Sequence, residues 1–372
     1  MKKLSHIPVC VAPKRSETVI KAMRAQVLAW YDDQGRTMPW RIRPEDRANG
    51  VVADPYAVWL FEIMSQQTTI AHAEPYWQKF LEQFPTVTDL ADADRDRVLA
   101  MWAGLGYYAR ARNLHKCAVI VRDECRSIFP DNEAGLLKLP GIGPYTAATI
   151  AAICYEEATN IVDGNVERLM SRIFRVQALL PKAKPEIRSC AATLVRSGRC
   201  GDYGQALIDL GAVICTPRKP KCEICPWLSH CAAFAHGDMG DYPKKTPKKK
   251  QPIRYGTVFV LRCGDDILLE RRDDKGLLGG MMGFIGSDWN DAPVNDVSLA
   301  PQARNWQRLE TEIRHIFTHF DLRLRVYAAQ TDHKDLVRPY DALWAPLDKI
   351  TDYALPSLYK KVLKAALDNN FD

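Results

Sequence analysis

The hydrophobic residues between positions 16 and 231 recur with helical spacing. Apolar side chains fall three or four positions apart in successive segments, and glycines and prolines separate these segments. One segment opens with Asp54 and Pro55, an N-cap residue followed by a proline in the first turn. The pattern predicts a mainly α-helical region, with helices near residues 56–67, 68–84, 89–102, 109–125, 145–155, 166–174 and 205–214.

The pattern changes to strand-like alternation after residue 254. Residues 255–262 and 267–271 predict two strands around a turn at Gly264-Asp265-Asp266. Residues 322–330 predict another strand, and residues 357–367 predict a closing helix. We therefore expect a second domain of the α+β class, unrelated to the first.

A basic segment separates the two patterns. Residues 241–254 contain six Lys or Arg, one Asp and three Pro, which is typical of an exposed, semi-stiff linker. It is either a solubilising tether or one that also contacts nucleic acid. We expect a helical domain over residues 1–237, a linker over 238–254 and a second domain over 255–372.

The composition excludes several classes of protein. With 372 residues, 26% charged and 47% hydrophobic, the chain is neither mainly disordered nor collagen-like nor a coiled coil. No apolar run approaches 18 residues, so no membrane span is expected. The net charge of +6 is compatible with a polyanionic partner. A chain of this size does not need disulfide bonds for its stability. Its 11 cysteines therefore indicate metal binding or free thiols in a reducing cytoplasm.

Four of the cysteines are close together, with the spacing C-x6-C-x2-C-x5-C. Zinc sites usually combine two short Cys-x-x-Cys pairs, and only one short spacing exists here. A [4Fe–4S] cluster tolerates the wider spacings because its four irons are separate corners, so the cluster is favoured and zinc is the alternative. The three cations between the first two ligands suit either phosphate contact or a solvated loop. The expected ligands are Cys215, Cys222, Cys225 and Cys231.

A glycine hairpin lies between two predicted helices. Gly141 and Gly143 follow Leu-Pro and precede a helix rich in small residues. Two glycines allow a tight turn whose backbone N–H groups point outward at a helix N-terminus, where they can bind a phosphate. This is the signature of a helix-hairpin-helix motif for sequence-neutral DNA binding, the alternative being a plain helix–helix turn.

Two acidic residues have the surroundings that acid–base chemistry requires. Glu62 lies within an apolar helical segment, where burial raises a carboxyl pKa and produces a proton donor at neutral pH. Asp163 precedes a helix, whose N-terminus would keep it ionised. One protonated and one ionised carboxyl are the pair that glycosidic cleavage uses. The alternatives are a structural buried acid for Glu62 and a simple N-cap for Asp163.

Together these motifs identify a known family. The chain resembles the adenine DNA glycosylases of the MutY family, which belong to the helix-hairpin-helix, iron–sulfur superfamily. The resemblance is strong over residues 16–231 and weaker from 255 onward. It rests on Met38-Pro39-Trp40, Glu62 to Thr68, Gly104 to Leu114, Leu139 to Tyr145, Val162 to Arg168, Gln205 to Thr216 and the four cysteines. It implies a helical glycosylase domain with an iron–sulfur loop, followed by a Nudix-like domain.

The resemblance also implies roles for individual residues. Glu62 would protonate N7 of an extrahelical adenine, and Asp163 would stabilise the oxocarbenium-like sugar by its charge or through a covalent intermediate. Gln67 and Tyr107 would enter the base stack beside the lesion, and Gly141 and Gly143 would contact the DNA backbone. The expected adenine pocket consists of Arg36, Trp40, Gln205 and Tyr145.

The second domain resembles a Nudix domain without its catalytic acids. No acidic run of the Nudix-box type follows Gly286, so no Mg²⁺ site for pyrophosphate hydrolysis is expected. The resemblance implies that Thr318 and His319 contact 8-oxoguanine. Otherwise His319 would be a strand-edge residue. Residues 41–53 are longer than usual for the family, and we expect an exposed loop without a role.

The implied activity is a monofunctional glycosylase that removes adenine opposite 8-oxoguanine or guanine. Related enzymes that also nick DNA use a lysine where this chain has Tyr145, so no Schiff-base step is expected. The expected partner is mispaired double-stranded DNA, bound by a monomer at a bacterial-type nucleoid in the cytoplasm; a further repair or replication partner is unknown. The rival functions are thymine release at T·G, a damage-binding scaffold and a nucleotide pyrophosphohydrolase.

Overall fold

The computed structural model describes residues 15–247, 251–293, 297–302, 304–336 and 341–369. Contacts divide the chain into two compact units. The first contains residues 1–66 and 120–248, and the second contains residues 67–119 and 249–372. Within the described ranges, no helix is both long and apolar enough to cross a membrane.

The region up to residue 236 is mainly helical, as predicted. The helices are α1 (Glu17–Gln34), α2 (Pro44–Ala48), α3 (Pro55–Ser65), α4 (Ile70–Gln83), α5 (Val87–Asp92), α6 (Arg95–Trp102), α7 (Ala109–Glu124), α8 (Glu133–Leu136), α9 (Pro144–Tyr155), α10 (Gly164–Ile173), α11 (Lys184–Ala192), α12 (Cys200–Asp209) and α13 (Ala232–Ala235). A π-helical turn, Leu210–Ile214, extends α12 towards the first cysteine of the loop.

The predicted helix over residues 89–102 is two helices. Asp94 accepts hydrogen bonds from the backbone N–H groups of Asp96 and Arg97, and so it caps α6. Ala93 has an extended backbone and ends α5. The helical periodicity continues across this break, which explains why spacing alone predicts one helix.

The second region combines strands with a closing helix, as predicted. The elements are β1 (Ile253–Cys263), β2 (Asp266–Arg271), β3 (Met282–Gly283), β4 (Gln307–Arg308), β5 (Ile313–Ile316), β6 (Asp321–Gln330), β7 (Ala342–Pro346) and helix α14 (Ser357–Asp368). The strands form a mixed sheet of order β3-β2-β1-β6-β4, with β5 pairing β6 and β7 pairing β2. The central pair β1–β6 is parallel, and the other named pairs are antiparallel.

Each unit has its own apolar core. In the first unit, one face of α1 packs with buried residues of α10 and α12. Trp227, from the cysteine loop, is fully buried there, and its Nε1 donates to the carbonyl of Met23 at 2.7 Å. In the second unit, Leu358 and Val362 of α14 are buried together with residues of β1, β2 and β6.

A close approach of α12 to α9 depends on Gly201. A Cβ at this position would lie 2.8 Å from the Cα of Ile153 and 2.9 Å from the carbonyl oxygen of Ala152. Both are backbone atoms that cannot rotate away. The missing side chain therefore lets α12, which contains Gln205, lie directly against α9, which contains Tyr145.

The first part of the predicted linker is packed rather than exposed. Tyr242 is buried, and the carbonyl of Lys244 accepts a hydrogen bond from the N–H of Leu180 at 2.8 Å. The Arg172 side chain donates to the carbonyls of Met239 and Tyr242. The expectation of exposure is thus wrong for residues 242–244. Residues 248–250 lie outside the described residues, and the domain boundaries at 237 and 254 stay a prediction.

Candidate active site and cysteine loop

Glu62 is a buried acid on a buried helix. Asp54 caps α3 by accepting from the N–H of Tyr56, and Pro55 occupies the first turn. The Glu62 residue is 7% exposed. Burial raises the pKa of Glu62 to about 7, although a hydrogen bond from Tyr145 and the charge of Arg41 act in the opposite direction. At neutral pH the group therefore holds a proton in a large fraction of molecules.

Asp163 caps α10 and lies close enough to influence Glu62. One of its carboxylate oxygens accepts from the backbone N–H groups of Asn165 at 2.9 Å and Val166 at 2.7 Å, and the other accepts from the Asn165 side chain. Burial raises the pKa of Asp163, and these hydrogen bonds limit the rise. The helix N-terminus favours the ionised form, as expected, but burial outweighs it and leaves the pKa raised. The negative charge of Asp163 contributes to the raised pKa of Glu62.

Tyr145 contacts Glu62 and lies within electrostatic range of Asp163. It is the second residue of α9, directly after the Gly143 N-cap and Pro144. Its hydroxyl is hydrogen-bonded to Glu62, and burial with the nearby carboxylates raises its own pKa well above the usual value. The structure thus brings Glu62, Tyr145 and Asp163 together from three helices.

A fully buried carboxylate, Asp209, organises the segment that carries Arg36 and Trp40. Asp209 ends α12 and its side chain is 0% exposed. The two terminal nitrogens of Arg41 donate hydrogen bonds to the two carboxylate oxygens of Asp209, at 2.8 and 2.9 Å. Arg36 donates its backbone N–H and its Nε to the same carboxylate, each at 2.8 Å. Burial alone would raise the pKa of Asp209, but these hydrogen bonds and charges lower it.

The remaining residues predicted for the adenine pocket lie close to these groups. The Trp40 ring stacks on Phe61, the neighbour of Glu62, with centroids 3.4 Å apart. Gln205 lies one turn before Asp209 and is 2% exposed. Its Nε2 donates to the carbonyl of Gly201, while its Oε1 is buried without a hydrogen-bond partner among the described residues. An acceptor of this kind is suited to an amino group of a bound base.

The prediction of an exposed loop for residues 41–53 is wrong in part. Residues 45–46 and 48–52 are exposed, but the Arg41 side chain is only 8% exposed and Pro44–Ala48 form α2. Arg47 lies near the buried carboxylate of Asp202 at 3.5 Å and donates to the carbonyl of Ile153. Sequence reasoning missed Arg41 and Asp209. The sequence did show two acids, Asp202 and Asp209, in an otherwise mainly apolar helix and several arginines between residues 36 and 47, but neither pattern pairs Arg41 with Asp209.

The glycine hairpin has the predicted form. Gly141 has a φ of 81°, in the region that glycine favours, and Gly143 caps α9. A Cβ at Gly143 would have no atom within 4 Å, so its backbone is accessible. Gln66 donates to the hydroxyl of Thr146 at 3.2 Å and connects the end of α3 to the first turn of α9.

Four further predicted DNA-contacting residues belong to the second unit. Tyr107 is 45% exposed, and its hydroxyl lies 2.8 Å from the Thr318 hydroxyl. Thr318 and His319 are exposed in the loop between β5 and β6. Gln67 and Tyr107 both have positive φ angles, 55° and 49°. Tyr107, which is predicted to enter the base stack (the wedge), and the loop with Thr318 and His319, which is predicted to contact the lesion, therefore meet within this unit.

The four cysteines line one small pocket, together with apolar side chains and Arg172. Within the described ranges, no three His, Cys, Asp or Glu side chains converge on a single-ion position. Arg172 is buried and donates to the Cys215 sulfur at 3.2 Å, as a thiolate ligand would favour. It also donates to the carbonyls of Thr216 and Pro217. The residues present fit a group bound by four separate thiolates.

Comparison with protein families gives three matches along the chain. The profile of the HhH-GPD superfamily base excision DNA repair proteins matches residues 60–197. The profile of the iron-sulfur binding domain of endonuclease III matches residues 215–231, the segment of the four cysteines. The NUDIX domain profile matches residues 257–365. The fold is therefore a helix-hairpin-helix glycosylase domain with an iron–sulfur loop, followed by a Nudix-like domain.

Comparison with whole proteins extends the likeness over most of the chain. The human adenine DNA glycosylase is 30% identical over 94% of this chain and 75% of its own length. The enzyme of the same name from Buchnera aphidicola subsp. Acyrthosiphon pisum is 30% identical over 93% of this chain and 97% of its own length. Among solved structures, a thermostable thymine-DNA glycosylase is 28% identical, with a TM-score of 0.51, over 59% of this chain and 98% of its own.

The buried carboxylate of Asp209 yields a stability prediction. Asp209→Asn should lower the free energy of unfolding by about 3–5 kcal/mol, because it leaves the charges of Arg36 and Arg41 uncompensated. Urea denaturation followed by circular dichroism measures the change. Glu17→Gln removes an exposed ion pair with Arg196 in the same unit and should leave the midpoint nearly unchanged. Equal midpoints for both variants would contradict the role of Asp209.

Proposed function

Since the chain belongs to the adenine DNA glycosylase family, whose members hydrolyse N-glycosidic bonds, we propose that it removes adenine mispaired with 8-oxoguanine or guanine in base excision repair. The observation that carries the proposal is the buried Glu62, whose pKa is about 7, beside Asp163. A neutral acid and a neighbouring carboxylate suit a bond whose cleavage needs leaving-group protonation and stabilisation of a sugar cation.

In the proposed reaction, the adenine is rotated out of the base stack to reach Glu62. Glu62 donates its proton to N7, which makes adenine a better leaving group. Asp163 then stabilises the positive charge that develops on the sugar, by its own charge or by forming a covalent intermediate that water hydrolyses. Arg36, Trp40, Gln205 and Tyr145 would surround the base.

Recognition of 8-oxoguanine is proposed for the Nudix-like domain. It lacks the acidic box of the pyrophosphohydrolases, and its loop between β5 and β6 exposes Thr318 and His319. The contact between the hydroxyls of Thr318 and Tyr107 supports joint action of the loop and the wedge on one lesion. Thr318 retains a hydroxyl that can bind a polar edge of the modified base.

Thymine release at T·G is the second candidate, because the helical domain is similar to a thymine-DNA glycosylase. The adenine DNA glycosylases match the Nudix-like region as well, which favours adenine. We propose a monomer without strand-nicking activity, since Tyr145 provides no amine for a Schiff base. It would act on nucleoid DNA in the cytoplasm.

We expect base release from A·8-oxoG duplexes to exceed release from A·G, with none from T·G. Gel analysis of labelled duplexes, with and without alkali, measures release and nicking separately. Glu62→Gln should abolish release because it removes the proton at nearly constant volume. Glu157→Gln alters a half-buried acid that binds the backbone N–H of Glu133, and it should retain activity. Preferred T·G release, or nicking without alkali, would contradict the proposal.

The same assay tests whether the loop with Thr318 and His319 recognises the lesion. His319→Ala should reduce the preference for A·8-oxoG over A·G, because it removes a side chain proposed to contact the lesion. His333→Ala changes an exposed histidine elsewhere in the same unit and should preserve the preference. An unchanged preference in the His319 variant would place lesion recognition elsewhere.

The pH dependence of single-turnover adenine release should report on Glu62. Because the protonated form is active, the rate should fall about tenfold per pH unit above pH 7. Tyr145→Phe removes a hydrogen bond that favours the carboxylate, so the alkaline limb should move up by roughly one pH unit. Tyr155→Phe, on the same helix, loses only a bond to the carbonyl of Phe129 and should leave the limb in place. A limb that moves down in Tyr145→Phe would refute this assignment.

We propose that the iron–sulfur group is one [4Fe–4S] cluster, held by Cys215, Cys222, Cys225 and Cys231. When bound, it supplies a rigid crosslink for the loop rather than chemistry on the base. The purified protein should absorb broadly near about 400 nm and contain about four irons per chain. Cys222→Ser should lose iron, whereas Cys263→Ser, at a cysteine outside the loop, should keep it. A colourless protein with one tightly bound zinc would contradict the assignment.

A further inference from the structure

Gln67 and Tyr107 have unusual backbone conformations. Their φ angles, 55° and 49°, lie in the left-handed region that residues with a Cβ rarely adopt. Neither is followed by a glycine that could absorb the strain. Such conformations persist only where neighbouring contacts hold them. The structure therefore needs a group that stabilises both segments.

Arg110, in the first turn of α7, contacts both segments. One terminal nitrogen donates to the carbonyls of Leu105 at 3.0 Å and Gly106 at 3.1 Å, directly before Tyr107. The same nitrogen lies 3.5 Å from the hydroxyl of Thr68, directly after Gln67. One guanidinium thus joins two loops that are about forty positions apart in the chain.

Arg110 also contacts the Tyr107 residue itself. Its guanidinium carbon lies 5.6 Å from the centroid of the Tyr107 ring and 5.2 Å from that of Trp102. Its backbone N–H donates to the Tyr107 carbonyl at 2.8 Å. Trp102 adds a second donor to the carbonyl of Gly106 at 3.1 Å. Hydrogen bonds therefore hold the backbone around Tyr107, and the Arg110 guanidinium lies against its ring.

Resting on the proposed function, we propose that Arg110 is a positioning residue that holds Gln67 and Tyr107 in the conformation in which they enter the DNA base stack. Its planar, forked guanidinium binds carbonyl oxygens and lies against a ring at the same time, which a lysine ammonium cannot reproduce. Burial lowers the pKa of Arg110 to about 10, so the group stays charged at neutral pH. Its role requires no contact with the DNA.

The first test uses the free protein and does not depend on the proposed function. Amide hydrogen exchange in Arg110→Met and Arg110→Lys should lose protection by about tenfold in the peptides covering residues 67–69 and 104–108. Arg97→Met is the matched control, since Arg97 lies over Phe84 and donates to Gln83 in the same unit. It should leave both peptides unchanged. Unchanged exchange in Arg110→Met would overturn the proposal.

The second test is a double-mutant cycle on DNA binding. The probe is a duplex with a non-hydrolysable deoxyadenosine analogue opposite 8-oxoguanine, and an undamaged duplex reports non-specific binding. Arg110→Met should weaken lesion binding by about tenfold in the otherwise unchanged protein and by less than about twofold in a Gln67→Ala/Tyr107→Ala background. Binding of undamaged DNA should not change.

The outcomes separate the two proposals. Equal losses in both backgrounds would show that Arg110 acts independently of Gln67 and Tyr107, and equal losses on damaged and undamaged DNA would show that it acts through general charge. Either outcome would overturn its positioning role. If the unchanged protein releases no adenine while the exchange data follow expectation, the proposed function fails and the structural role of Arg110 stands.

Discussion

The buried carboxylate of Asp209 is the constraint on which the geometry of the candidate site depends. A carboxylate with no exposed surface is tolerated only when cations compensate it and donors satisfy its oxygens. Arg36 and Arg41 provide both, and they can do so only if residues 36–41 lie against the end of α12. That placement stacks Trp40 on Phe61 and brings the Arg41 charge within range of Glu62. A single desolvated charge thereby fixes one wall of the site.

The pKa of Glu62 results from several opposing effects, and Arg41, which is held by Asp209, provides one of them. Burial favours the neutral acid, and the charge of Asp163 acts in the same direction. The Tyr145 hydrogen bond and the Arg41 charge favour the carboxylate. Because burial outweighs the opposing effects and brings the pKa to about 7, the group can both hold and release a proton at neutral pH. Its chemistry therefore depends on four elements at once rather than on the helix that carries it.

Local pattern predicted the parts of the site whose cause is local. An acid inside an apolar helix, an Asp before a helix and two glycines between helices each have a short-range signature, and Glu62, Asp163, Gly141 and Gly143 lie where that signature placed them. The bond between Arg41 and Asp209 joins residues 168 positions apart, and no local pattern contains it. From sequence alone, several arginines close together indicate a solvent-exposed segment, because their buried partner is not known. The expectation of an exposed linker was wrong for the same reason, because Tyr242 and Lys244 pack against a segment that is distant in the sequence.

Long-range hydrogen bonds also connect the cysteine loop to the candidate site. Arg168 donates to the carbonyl of Cys215 at 2.7 Å and to the Asn165 side chain at 3.0 Å. Asn165 in turn donates to Asp163. Fixing Cys215 therefore restrains Arg168, which orients the Asn165 side chain that donates to Asp163. A rigid group bound by the four cysteines would thus restrain the Asp163 carboxylate through Arg168 and Asn165.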